Sequence, residues 1–72
     1  MDAKIKTNLQ KIISGQLAYK SPNLAFNMMI SRMQMKIKTQ PNCIEECLKE
    51  IEDFAAKYPA VVKIDYDKIA AL

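Results

Sequence analysis

Two cysteines, Cys43 and Cys47, are the residues of this 72-residue chain best suited to chemistry. On a helix their spacing places both thiols on one side, and a helix N-terminus lowers the pKa of a thiol and raises its thiolate fraction. This pattern indicates a thiol redox protein as a minor alternative. The spacing is C-x3-C rather than C-x-x-C, and two thiolates fill only half of a tetrahedral zinc site. Free cysteine is also among the most buried residue types, so we expect no metal site.

Catalysis has little support in the rest of the composition. The chain has no histidine, which is the commonest general base and the commonest metal ligand. It has a single glycine and no glycine-rich phosphate loop. The acidic residues of 45–53 fall mainly on the polar side of a predicted helix, where such charges are usually solvated. We therefore expect no catalytic residues, no cofactor and no enzymatic activity.

The segments that would position the thiols are predicted to be helical. A hydrophobic fraction of 50% with one glycine is typical of a packed, regular, mostly helical fold. A first helix is predicted over 3–19, with Gly15 either ending it or weakening its last turn. Its apolar residues follow the helical spacing i, i+3, i+4, i+7. They are Ile5, Leu9, Ile12, Ile13 and Leu17.

Two further helices are predicted from their start and stop signals. Ser21 as cap and Pro22 at the first helical position predict a helix over 22–38. Asn42 with Glu45 three residues later resembles a capping box and predicts a third helix over 42–58. Proline at position 59 ends that helix.

The C-terminal residues 60–72 are predicted to be an extended piece followed by a short helix. Asp65 or Asp67 would cap that helix. The fold class is then all-α, a small three-helix bundle with a short C-terminal extended or helical segment, in a single domain 1–72. Because MQMKIKT at 33–39 also alternates apolar and polar residues, an α+β fold with a β-α-β unit at 33–66 is the alternative.

Charge is distributed unevenly between the two halves of the chain. Residues 1–38 carry seven basic residues against Asp2, a net charge of +6, and residues 39–72 carry four lysines against seven acidic residues, a net charge of −3. The halves could attract each other within a monomer or across a dimer. The alternative is a nucleic-acid-binding regulator with a helix-turn-helix-like segment at 12–33. Its candidate contact residues are Lys4, Lys6, Lys11, Lys20, Arg32, Lys36 and Lys38.

The predicted second helix has apolar side chains on two opposite faces. Its core face is formed by Phe26, Met29, Ile30, Met33 and Ile37. The other face has Leu24, Met28 and Met35, about half a turn away at roughly 100° per residue. Either residues 60–72 cover this face, or it meets a second copy of the chain across a two-fold axis, where Arg32 would pair with an acid of the opposite chain.

We predict the second arrangement, with Leu24, Met28, Arg32 and Met35 as self-association residues. The predicted function is a non-enzymatic protein-interaction or regulatory module that acts as a homo-oligomer, most simply a homodimer. A different protein partner is possible. The segment MDAKIKTNLQKI has lysines but no apolar run behind them, and nothing approaches the ~20 apolar residues of a membrane span. We therefore expect a cytoplasmic protein without a secretory signal, with reduced cysteines and no membrane partner.

Overall fold

The architecture is all-α, as a computed structural model shows for the residues that it describes, 2–72. Its helices are α1 (Ala3–Ile13), α2 (Leu24–Thr39), α3 (Ile44–Lys57) and the short α4 (Tyr66–Ala70). The predicted small helical bundle is confirmed. The β-α-β alternative at 33–66 is wrong, because residues 33–39 are the last turns of α2 and no strand occurs within 2–72. Methionine, glutamine and lysine are good helix formers, and this preference outweighs the short alternating pattern.

α1 ends ahead of Gly15, so the predicted span 3–19 is too long. Gly15 has a φ of 81°, which glycine adopts without the steric penalty of a side chain. Its N–H donates to the carbonyl of Ile12 at 3.1 Å, and the N–H of Gln16 donates to the carbonyl of Lys11 at 2.8 Å. These two bonds are the Schellman motif that closes a helix. Of the two roles considered for Gly15, ending the helix is the correct one.

α2 begins at Leu24, later than the predicted span 22–38. Asn23 is its cap, and the Asn23 side-chain oxygen accepts a hydrogen bond from the Phe26 N–H at 2.8 Å. The Ser21 hydroxyl accepts instead from the Asn23 N–H at 3.0 Å. Ser21 therefore shapes the turn before the helix, and the cap is the asparagine that follows the proline.

The start of α3 also differs from the predicted span 42–58. A 3-10 turn, Pro41–Cys43, precedes the helix, and no side chain caps its first turn, so the predicted capping box is wrong. Glu45 reaches α1 instead. Its carboxylate lies 3.2 Å from the Lys6 ammonium and accepts a hydrogen bond from the Gln10 amide at 3.3 Å. A tertiary contact has replaced the local cap.

The C-terminal segment packs on α1. It runs without regular structure to Asp65, whose side chain accepts from the Lys68 N–H at 3.2 Å and caps α4, so Asp65 is the correct one of the two predicted caps. The buried Asn8 side chain of α1 donates to the Ile69 carbonyl at 2.7 Å. The Ile69 side chain is fully buried in the core. Residues 65–72 therefore pack on the α1 side of the bundle.

The core lies between α1, α2 and α3 and is closed by α4. The predicted core face of α2 is confirmed, because all five of its residues are buried. The other buried apolar side chains are Leu9, Ile12 and Ile13 of α1, Cys47, Leu48 and Ile51 of α3, and Cys43, Val62 and Ile69. None of the described helices has the length and apolar character needed to cross a membrane.

Candidate functional site

The most unusual surface of the protein is the outward side of α2. We call Leu24, Met28 and Met35 the outward stripe. Their exposed fractions are 71%, 64% and 71%, although they are large apolar side chains. Spacings of four and seven residues align them along the helix. The C-terminal segment does not cover them, because its helix packs on α1, so the first of the two predicted arrangements is wrong.

An open apolar groove of about 400 Å³ adjoins the outward stripe on the α3 side. It is lined by Ala25, Met28, Met29, Arg32, Phe54, Val61 and Val62. Phe54 and Val61 are themselves exposed apolar side chains. Met28 belongs to both features, so the apolar surface continues from α2 across the groove to the end of α3. We call this feature the α2/α3 groove.

Hydrogen bonds hold the end of the α2/α3 groove in place. The Asn23 amide, which also caps α2, donates to the Val61 carbonyl at 3.1 Å. Asn27 and Ser21 pair reciprocally: the Asn27 side-chain oxygen accepts from the Ser21 N–H at 2.9 Å, and its amide donates to the Ser21 carbonyl at 2.7 Å. These contacts order the surface before any partner binds. Binding would therefore lose little conformational entropy in this part of the chain.

A second groove lies on the α1 side of the outward stripe. Its lining includes Ser31, Met35 and Lys38 of α2, Ile13 at the end of α1, and Gly15 just after it. Gln34 also lines this groove, and its side-chain amide donates to the Ile12 carbonyl at 2.9 Å. The outward stripe is therefore a ridge with a depression on each side.

All the charged residues of α2 are basic. They are Arg32, Lys36 and Lys38, and they lie in its C-terminal half. Arg32 lines the α2/α3 groove, while Lys38 lines the groove on the α1 side. Cations therefore flank the outward stripe on both sides. Within the described residues Arg32 makes no ion pair, which leaves it available to a group outside the chain.

The other predicted nucleic-acid contacts lie on different elements. Lys4, Lys6 and Lys11 are on α1, and Lys20 is in the connection 14–23. Lys6 is paired with the exposed Glu45 carboxylate, so part of the attraction between the basic and acidic halves operates within one chain. An exposed pair of this kind contributes about 0–1 kcal/mol.

The predicted helix-turn-helix-like motif at 12–33 is wrong as a structural motif. Such motifs join their helices by a turn of about three or four residues. Here residues 14–23 separate α1 from α2. The seven basic residues are divided between α1, this connection and α2, so they do not lie on one helix.

The two thiols lie beside each other inside the protein. The Sγ atoms of Cys43 and Cys47 are 3.7 Å apart, both side chains are buried, and both cysteines are free. Burial and the hydrogen bond to Cys43 raise the pKa of Cys47 to about 11. The lowered pKa expected at a helix N-terminus is therefore wrong for Cys47, because loss of hydration outweighs the helix dipole here.

The raised pKa of Cys47 predicts a loss of stability at alkaline pH. The model-compound pKa of 9.0 describes the unfolded thiol, so above pH 9 the unfolded chain loses this proton before the native chain does. Stability from this thiol is complete below pH 9 and is lost as the pH rises toward 11. Urea unfolding at pH 8, 9 and 10 measures the effect. The Tyr66 pKa is also raised, so Cys47→Ala is the control: it should reduce the slope between pH 8 and 10 without removing it.

The contribution of α3 to the outward surface was missed at the level of sequence. Phe54 has the helical spacing of a core residue, yet it lies at the edge of the core, with its ring centre 5.0 Å from that of Tyr58. The i, i+4 spacing of Phe54 and Tyr58 was the available signal, because it brings two aromatic rings together at the C-terminal end of α3.

Comparison of the chain with protein-family models, curated proteins and solved structures finds no match in any of the three.

Proposed function

We propose that this protein is a non-enzymatic interaction module that forms a homodimer through the outward stripe and the α2/α3 groove. We place it in the cytoplasm, where its thiols would stay reduced. The observation that carries the proposal is the alignment of Leu24, Met28 and Met35, each about two-thirds exposed, on one helix. Contiguous exposed apolar patches on soluble proteins commonly mark interaction sites.

The energetics support an association of moderate affinity. Burying one large apolar side chain contributes about 1.5–3 kcal/mol when it starts fully exposed. In a two-fold symmetric dimer each side chain of the outward stripe is buried in both chains, so its contribution counts twice. Association itself costs about 4–15 kcal/mol in lost translational and rotational freedom. Because the two terms are of similar size, Phe54 and Val61 of the α2/α3 groove must add to the contact for dimers to form at micromolar concentration.

The side chains of the outward stripe suit a self-associating surface. Methionine is unbranched and polarisable, so Met28 and Met35 can adapt to an imperfectly matched partner. The nucleic-acid alternative has weaker support, because Lys6 is engaged by Glu45 and because Arg32 and Lys38 face different grooves. A protein surface is the better match to a ridge that is apolar along its centre.

Sedimentation equilibrium of the wild-type protein tests the proposal. We expect the mass to rise with concentration from the monomer value of 8.2 kDa toward twice that value. The preparation should show no nucleic-acid absorbance at 260 nm. A mass that stays at the monomer value up to millimolar concentration would contradict the proposal. Retention on DNA or RNA that falls steeply with salt would instead favour the basic-half alternative.

A further inference from the structure

We infer that two copies of the chain join with their α2 helices antiparallel, crossing at Ser31 and Arg32. In this arrangement Met28 of each chain lies against Met35 of the partner subunit. The inference rests on the proposed self-association and specifies its symmetry and register. Spacing, side-chain size and charge along α2 each support it.

The first support is the symmetry of the outward stripe about its centre. Met28 and Met35 are seven residues apart, which is about two helical turns or roughly 10 Å. A two-fold axis perpendicular to α2 and midway between them exchanges the two positions. Ser31 lies in line with the outward stripe at that midpoint and is exposed. Its small side chain allows two helix backbones to approach closely at the crossing.

The second support is the distribution of charge. The basic residues of α2 are confined to its C-terminal half, while 24–31 carries no charge. A parallel, in-register pair would bring six cations together at one end of the joint, and like charges placed close together oppose association. The antiparallel pair places Lys36 and Lys38 of each chain beside the uncharged half of the other chain, and only the two copies of Arg32 stay near the axis. The two copies of Lys36 are then roughly 14 Å apart along the axis, beyond the Debye length of about 8 Å.

The third support is that the antiparallel register covers the end of the outward stripe. It places Leu24 of one chain next to Lys38 of the partner subunit. The methylene stem of a lysine can cover an apolar side chain while its ammonium stays in water. The same axis brings the two α2/α3 grooves to one side of the joint, where the guanidinium of Arg32 can stack on Phe54 of the partner subunit.

Disulfide cross-linking of single-cysteine substitutions tests the arrangement. Ser31→Cys should form a covalent dimer under mild oxidation, because the axis passes beside it. Leu24→Cys should not, because the two copies are roughly 22 Å apart along α2 and a disulfide requires Cα atoms within about 7 Å. An equimolar mixture of Met28→Cys and Met35→Cys should cross-link as a mixed dimer, while neither variant should do so alone.

Controls keep the outcomes distinct. The wild type shows what the native cysteines contribute, and these are buried. All four substituted positions are exposed, so helical circular dichroism should be unchanged. Efficient cross-linking of Leu24→Cys would indicate a parallel pair and overturn the inference while leaving the homodimer intact, and so would a sedimenting dimer in which Ser31→Cys fails to cross-link. A wild-type monomer at millimolar concentration would overturn the inference together with the proposed function.

Discussion

The Met28→Glu/Met35→Glu variant should be a folded monomer at concentrations where the wild type is dimeric. Both side chains are exposed, so the new carboxylates stay hydrated in the monomer and cost little stability. In the antiparallel dimer the glutamate at 28 would lie against the partner's glutamate at 35, where burial and like charge both oppose association. We expect the dissociation constant to rise by at least two orders of magnitude. Sedimentation equilibrium measures this change, and circular dichroism reports the fold.

The matched control uses the same substitution on the core face of the same helix. Met29 and Met33 are buried, with exposed fractions of 6% and 1%. Met29→Glu/Met33→Glu should therefore unfold the protein, since burying two carboxyl groups without partners costs several kcal/mol each, comparable with the 5–15 kcal/mol stability typical of whole domains. A Met28→Glu/Met35→Glu variant that unfolds, or that still sediments as the wild-type dimer, would show that the outward stripe is not the contact surface.

Ile69→Ala should be among the most destabilising single truncations in the chain. The side chain is fully buried in the core cluster, although α4 has only one short run of helix to hold it there. Truncation of a buried isoleucine to alanine costs about 2–5 kcal/mol. That is a large part of the stability of a domain this small. Urea unfolding monitored by circular dichroism should show a clearly lower midpoint.

Leu72→Ala is the control for the Ile69 variant. Leu72 lies at the same end of the chain but is about half exposed, so its truncation should change the free energy of unfolding by about 0.5 kcal/mol or less. Equal midpoints for Ile69→Ala and the wild type would contradict the packing of α4 on α1. The distinction matters for function, because a C-terminal segment released from α1 would be free to cover the outward stripe.

Helical periodicity was sufficient to predict which side chains of α2 share the core. About 3.6 residues per turn places Phe26, Met33 and Ile37 on one side of the helix, and all three are buried in the structure. The C-terminal helix was likewise predictable, and so was a cap at Asp65 or Asp67, because an aspartate preceding a helix satisfies a local N–H, as Asp65 does. Such features depend on neighbours within one or two turns.

Helix ends were less predictable, because local signals compete with distant ones. Asn42 and Glu45 have the spacing of a capping box, but Glu45 contacts Lys6 of α1 instead. The pKa of Cys47 is a second case in which distant contacts override a local signal. Its position near the start of a helix favours the thiolate, yet burial among residues distant in sequence raises the pKa.

Periodicity predicts that Leu24, Met28 and Met35 share a face, but it cannot predict what covers that face. The deciding contacts are those that carry residues 65–72 onto α1, notably the hydrogen bond from Asn8 to the Ile69 carbonyl, which joins positions 61 residues apart. Contacts at that separation depend on how all the helices pack together. The sequence alone therefore determined the helices and their apolar faces, and the tertiary structure decided that the outward face of α2 stays open.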